Sequence, residues 1–193
     1  MAVIGRMQGT RSRVMSETLG SPAVGTATAV HAAVTSTASQ QVVTTGITNP
    51  TTPRNVTATA GGTAADIKAI QVIVTGTNAY GDTISETLPA FTVDTAGSVQ
   101  GAKAFATVTS ITLPAHDGTG ATTSVGLGGH GATVGRLGLP VKLDRDTIVN
   151  AYLNGVREST RPTVAFSATA VESNTVQLNS ALNGSAVIVD YYT

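Results

Sequence analysis

Few residues of this chain belong to types that do chemistry, and their spacing is poor. Gly126-Leu127-Gly128-Gly129-His130-Gly131 matches G-x-G-x-x-G, and Asp146 stands 20 residues after Gly126. In a dinucleotide site that pattern ends a strand and opens a helix, whose N-terminus holds the pyrophosphate. Gly135, Gly138 and Pro140 would break such a helix, and no β-α-β pattern surrounds the stretch. It therefore reads as a flexible connection. His116-Asp117 has the composition of a metal or acid/base pair, but "HDGTG" is also what a hairpin tip requires, with Asp supporting the turn and Gly taking positive φ. Asp144 and Asp146 flank Arg145 in "KLDRDT". Alternating carboxylates bind calcium only when further oxygen donors complete the shell. Glu86 and Asp94 are the acids nearest to strand patterns, yet nothing marks them as a glycosidase pair. No G-x-S-x-G is present for a serine nucleophile. Asn55-Val56-Thr57 and Asn183-Gly184-Ser185 are formal glycosylation sequons, read as accidental because the N-terminus lacks the apolar core of a secretory signal. With no Cys and three scattered His, the expectation is a non-enzyme with no catalytic residues, no cofactor and no metal.

One cationic cluster remains, Arg6, Arg11 and Arg13, with Glu17 the first acid after it. Three arginines can grip carboxylates on a protein partner or phosphates on a nucleic acid. A neutral, apolar segment follows: between Val14 and Pro53 the single charged side chain is Glu17. That continuation favours a protein partner, as does the overall balance of 11 basic and 11 acidic residues. The expected contact set is Arg6, Arg11 and Arg13 for charge-assisted bonds, with Val14, Met15, Val24, Val30 and Val34 for apolar contact.

The elements that would position these residues are β-strands. Thr, Ala, Val and Gly fill 104 of the 193 positions, charged residues make up 11% and aromatics 4%. An ordinary soluble domain carries about 25% charged residues. Such a surface, neutral and made of small side chains, suits a component of a larger assembly. Short β-branched runs recur at 40–46, 54–60, 67–77, 82–88, 91–95, 105–113 and 121–127, divided by turn clusters such as "NAYGD" and "DTAG". In the third run Ile70, Val72 and Val74 should share one face. Later runs fall at 163–170, 174–180 and 185–192, and Asn154-Gly155 predicts a tight hairpin. No apolar run reaches the roughly 18 residues of a membrane span. The predicted fold is all-β: an antiparallel sandwich or barrel over 35–125, an extended N-terminal arm over 1–34, a Gly-rich linker over 126–140 and a small C-terminal β unit over 141–193.

The stretch "ITNPTTPRNVTATAGGTAADIKAIQVIVTGTNAYGDTISETLPAFTVDTAGSVQGAKAFATVTSITLPAHDGTG" (47–120) resembles a β-sandwich module common in virion structural proteins of tailed bacteriophages. The ending "AYLNGVREST…VAFSATAVESNTVQLNSALNGSAVIVDYYT" is similar to the C-terminal unit of such proteins. Within that class, the size, the all-β body and the arm resemble a capsid decoration protein. The resemblance implies binding to the outside of an assembled capsid, with the major capsid protein as partner, self-association as a trimer, and no nucleic acid or membrane contact. It implies location on the virion surface after synthesis in the bacterial host cytoplasm. Two other functions are compatible with the residues. One is a tail, baseplate or fibre component, using Tyr152, Tyr191 and Tyr192. The other is a carbohydrate-binding or hydrolytic sandwich, which seven aromatics without Trp serve badly.

Overall fold

Thr, Val and Ile lose side-chain freedom in a helix and pack well on a pleated surface, so a chain this rich in them extends. The computed structural model describes residues 13–192 and shows antiparallel strands joined by short turns. In chain order the strands are β1 (Val14–Thr18), β2 (His31–Thr35), β3 (Gln41–Val43), β4 (Arg54–Gly62), β5 (Ile73–Thr77), β6 (Thr83–Thr87), β7 (Gly97–Phe105) and β8 (Thr107–Leu113). They continue with β9 (Ala121–Leu127), β10 (Leu137–Gly138), β11 (Ile148–Leu153), β12 (Val156–Arg157), β13 (Thr163–Ala165), β14 (Thr175–Gln177) and β15 (Val187–Tyr192). Single 3₁₀ turns lie at Ala64–Asp66 and Val171–Ser173.

Three sheets form. One has the order β3-β8-β5-β6, and a second β1-β15-β11-β12. Between them runs a sheet of order β13-β14-β10-β4-β9-β2, with β7 also paired to β4. The all-β sandwich expected from composition is therefore present, and Ile70, Val72 and Val74 are all buried as the alternation predicted. They join Val56, Ala58, Val125, Phe105 and Ile111 in the core between the central and first sheets. A second core, built on Leu137, Leu139, Ile148, Val176, Val187, Val189 and Tyr191, fills the space under the β15 sheet. Asn154 and Gly155 both take positive φ, 54° and 73°, as a type I′ hairpin turn needs.

Two boundaries differ from the sequence reading. First, the segment read as an arm is built into the body from residue 14 onward. β1 pairs with β15, the last strand, over five residues without a register shift. β2 pairs with β9, and Val30, 1% exposed, is part of the first core. An apolar Val/Ala segment gains more by adding strands to sheets that need covering than by staying extended in water.

Second, the stretch read as a flexible linker is pinned at both ends. Leu137 and Leu139 are fully buried, and β10 pairs with both β4 and β14. The glycines serve close approach rather than mobility. A Cβ at Gly126 would overlap the Thr26 carbonyl, and one at Gly128 would overlap the Val134 carbonyl and the Asn55 side chain. Asn55 is the staple. Its backbone C=O accepts from Gly128 N–H at 3.2 Å and its N–H donates to Arg136 C=O at 3.0 Å, so β9 hands over to β10 beside it. Its fully buried side chain accepts from Arg136 N–H at 2.8 Å and donates to the Val134 and Gly101 carbonyls at 3.1 and 3.3 Å. Strands β13 and β14 thus belong to the same central sheet as β4 and β9, while β11, β12 and β15 form the other sheet with β1.

Candidate interaction surface

His116, His130 and Glu86, singled out for chemistry, bond to other parts of the fold. His116 is 7% exposed and stacks on Phe91 with ring centroids 6.0 Å apart. Its Nδ1 accepts from the Lys68 backbone N–H at 3.1 Å, which leaves the proton on Nε2, 3.0 Å from Thr123 Oγ1. Burial holds this imidazole below its usual pKa, against the raising effect of Asp117. Asp117 points elsewhere, to Lys68 Nζ at 2.7 Å. His130 lies 3.0 Å from Thr57 Oγ1, and burial, followed by the charge on Arg54, lowers its pKa too.

Glu86 reaches the bulge where β7 slips against β4, accepting from Ala102 N–H at 2.7 Å and Lys103 N–H at 3.3 Å. Burial pushes its carboxyl up, while those two amides and Lys103 pull the other way. Arg54 is 3% exposed and clamps main chain: Nη1 donates to Ala23 C=O at 2.9 Å and Nη2 to Gly128 C=O. Burial lowers its guanidinium to about 10, so it remains charged at neutral pH. Asp144 meets Arg145 at 3.9 Å on the surface, and Asp146 meets Arg161 at 2.7 Å. Among the described residues no three His, Cys, Asp or Glu side chains gather as a metal site would require. The G-x-G-x-x-G stretch leads from β9 through a stapled loop into β10, so no helix start stands there to receive a phosphate.

The expected contact set divides. Arg6 and Arg11 lie outside the described residues. Arg13 is exposed at the entry to β1, and Val14 and Met15 are 52% and 45% exposed on it. Val24, also exposed, sits in the β1–β2 connection, whose Ala23 carbonyl is held by Arg54. Val30 belongs to the core and Val34 packs half-buried against it, so these two are corrected from contact residues to structural ones. Their place in a β-branched run beside other small residues gives no sign of which sheet buries them.

What the structure does gather is a sheet face and its edge. Along β15, Val187, Val189 and Tyr191 are buried, so Ile188, Asp190 and Tyr192 point outward. The register places Thr18, Ser16 and Val14 beside them on one side, and Tyr152 and Asn150 on the other. Ser16 Oγ donates to Asp190 across that face. Tyr192 is 45% exposed, whereas burial raises the Tyr191 hydroxyl, with Glu17 and Tyr80 adding to the rise. Of the three tyrosines noted for a fibre role, Tyr191 therefore faces the core. Beside β1, on the side of Glu17, an open cleft of about 350 Å³ is lined by Leu19, Pro53, Ala79, Ala106 and Pro140 among others. Its neighbour Tyr80 is 53% exposed, with its hydroxyl 3.3 Å from the Pro140 carbonyl and Lys142 Nζ 5.8 Å from its ring centre.

The strand edge is legible only once the partner of β1 is known, because "VMSET" gives five residues of weak alternation. Compared with known proteins, the chain matches no family model, no curated protein and no solved structure.

Proposed function

We propose that this chain is a non-enzymatic structural protein of a tailed-phage virion, and that it binds the outside of the assembled capsid and stabilises it. The observation that carries the reading is the resemblance of residues 47–120 and of the C-terminal stretch to virion β-sandwich modules. The surface chemistry supports it. The chain has zero net charge, and its exposed large apolar side chains include Val14, Met15 and Tyr192 on one sheet and Val24 in the β1–β2 connection. Such a surface loses little by being covered. Glu86, His116 and Arg54, whose pKa values burial shifts, bond to main-chain groups of the fold, a use that needs no substrate.

A ligand that binds the assembled shell and not its free subunits stabilises the shell by mass action. Arg13, Val14 and Met15 supply contact in this reading, with the major capsid protein as partner. The test is cosedimentation of purified protein with emptied heads and, separately, with isolated tails. Saturable binding to heads is the expected result. Binding to tails alone would replace this function with a tail, baseplate or fibre role.

A further inference from the structure

We infer that β1 is a self-pairing edge, through which two copies of this chain join antiparallel across a two-fold axis at Met15. This inference does not depend on the capsid reading; in the dimer Arg13 and Met15 meet the second copy, and of the contact set on β1 only Val14, beside Tyr192 on the outer sheet face, stays open to a capsid. The geometry starts from backbone alternation. Leu19 N–H donates to Val187 C=O at 2.9 Å, so the odd residues of this segment direct their backbone toward β15. Val14, Ser16 and Thr18 therefore direct theirs away from the sheet, as a row of donors and acceptors without partners among the described residues.

The other sheet ends are less suited. β12, β13 and β3 have two or three residues, and β2 carries a register shift against β9. β7, nine residues long and paired to β4 alone, is broken by a register shift where its Ala102 and Lys103 amides donate to Glu86. The outer side of β6 is approached by Lys103, whose Nζ donates to Ser85 C=O at 3.0 Å. Among the described residues β1 is thus the long, regular, open edge.

The sequence Arg13-Val14-Met15-Ser16-Glu17 is complementary to itself when reversed. With Met15 on the axis, Val14 of one copy pairs with Ser16 of the other through the outward backbone groups. Arg13 then stands opposite Glu17 of the second copy, and the reciprocal pair repeats it. Both ion pairs fall at non-hydrogen-bonded positions, where opposed side chains are closest. Glu17 is half-buried beside the cleft and Arg13 is exposed, so each incoming guanidinium would reach a carboxylate at the cleft mouth. The β1-β15-β11-β12 sheets of the two copies become one continuous sheet. Zero net charge removes long-range repulsion between copies. The product is a dimer, where the phage resemblance implied a trimer.

The test uses charge exchange in the full chain, read by light scattering after size-exclusion chromatography. The wild type is expected to be a concentration-dependent dimer. Arg13→Glu sets two Glu–Glu pairs against each other, and Glu17→Arg sets two Arg–Arg pairs. Each should raise the dissociation constant about tenfold or more, with the melting profile kept. Mixing the two variants should restore dimers, because opposite charges then face each other at both sites. A wild type that is monomeric or trimeric would overturn the inference. So would single variants that dimerise like wild type, or a mixture that fails to recover. Should Glu17→Arg misfold, Arg13→Glu alone still decides the matter by dimerising or not.

Discussion

Replacing Asn55 by Ala tests the claim that the Gly-rich stretch is stapled rather than loose. The Asn55 side chain is fully buried and makes three hydrogen bonds, to Arg136 N–H at 2.8 Å, Val134 C=O at 3.1 Å and Gly101 C=O at 3.3 Å. Alanine leaves all three main-chain groups without that partner. An unsatisfied buried group costs roughly 1–3 kcal/mol, and water can reach some of these in the variant. Taking the low end for each gives a loss of about 3 kcal/mol. For a chain of this length about 1 kcal/mol moves Tm by about 2–4 °C, so a drop of about 6–12 °C is expected in a calorimetric or circular-dichroism melt. Limited proteolysis should also show faster cleavage between 128 and 136 in the variant. A Tm within about 2 °C of wild type, with the loop as resistant as before, would refute the reasoning.

Three further outcomes follow from the same structure. Deleting residues 1–33 removes β1 and the buried Val30, so the product should be unfolded by circular dichroism; a cooperative melt near the wild-type Tm would contradict the β1–β15 pairing. His116 and His130 both have lowered pKa in the fold, so the unfolded chain binds more protons below its own His pKa of about 6.5. Stability is therefore full above that pH and should fall as pH drops from about 6.5 toward the folded-state values, and His116→Gln should flatten that dependence in urea titrations at about pH 7.5 and 5.5. Gly126→Ala forces a Cβ into the Thr26 carbonyl and should cost about 2 kcal/mol or more, whereas Gly97→Ala meets nothing within 4 Å and should leave Tm nearly unchanged.

How much of this is legible in the sequence depends on whether the deciding contact is local. Asn154-Gly155 needs positive φ at two adjacent residues, and those residue types alone announce the turn. Ile70, Val72 and Val74 alternate within one run, so their shared burial is visible there. The run read as a strand over 67–77 settles into strand only from Ile73; before it, the Val72, Ile70 and Ile67 carbonyls accept from the Leu88, Phe91 and Asp94 amides outside any sheet ladder. The run at 91–95 becomes a turn through Asp94 at φ 54°, and the mixed "GSVQGAKAF" becomes β7 although it lacks β-branched density. β7 is held by its pairing with β4 and by the Glu86 carboxylate at its bulge, both distant in sequence.

The N-terminal segment and the glycine stretch depart from expectation for one physical reason. A run of Val, Ala and Thr is as consistent with an arm as with a strand added to a sheet edge, and glycines mark close main-chain approach as readily as freedom. Only the partner, β15 for β1 and Asn55 for Gly128, decides. The candidate surface is partly legible: charge and apolarity single out Arg13, Val14 and Met15, but the sheet face formed by Ile188, Asp190 and Tyr192 needs the register.

The most direct test of the proposed function is the number of copies of this chain in purified particles, counted by quantitative mass spectrometry against the major capsid protein. A copy number comparable to that of the capsid protein is the predicted result, since a stabiliser of the shell must repeat with its lattice. A few to a few dozen copies per particle, or none, would contradict it.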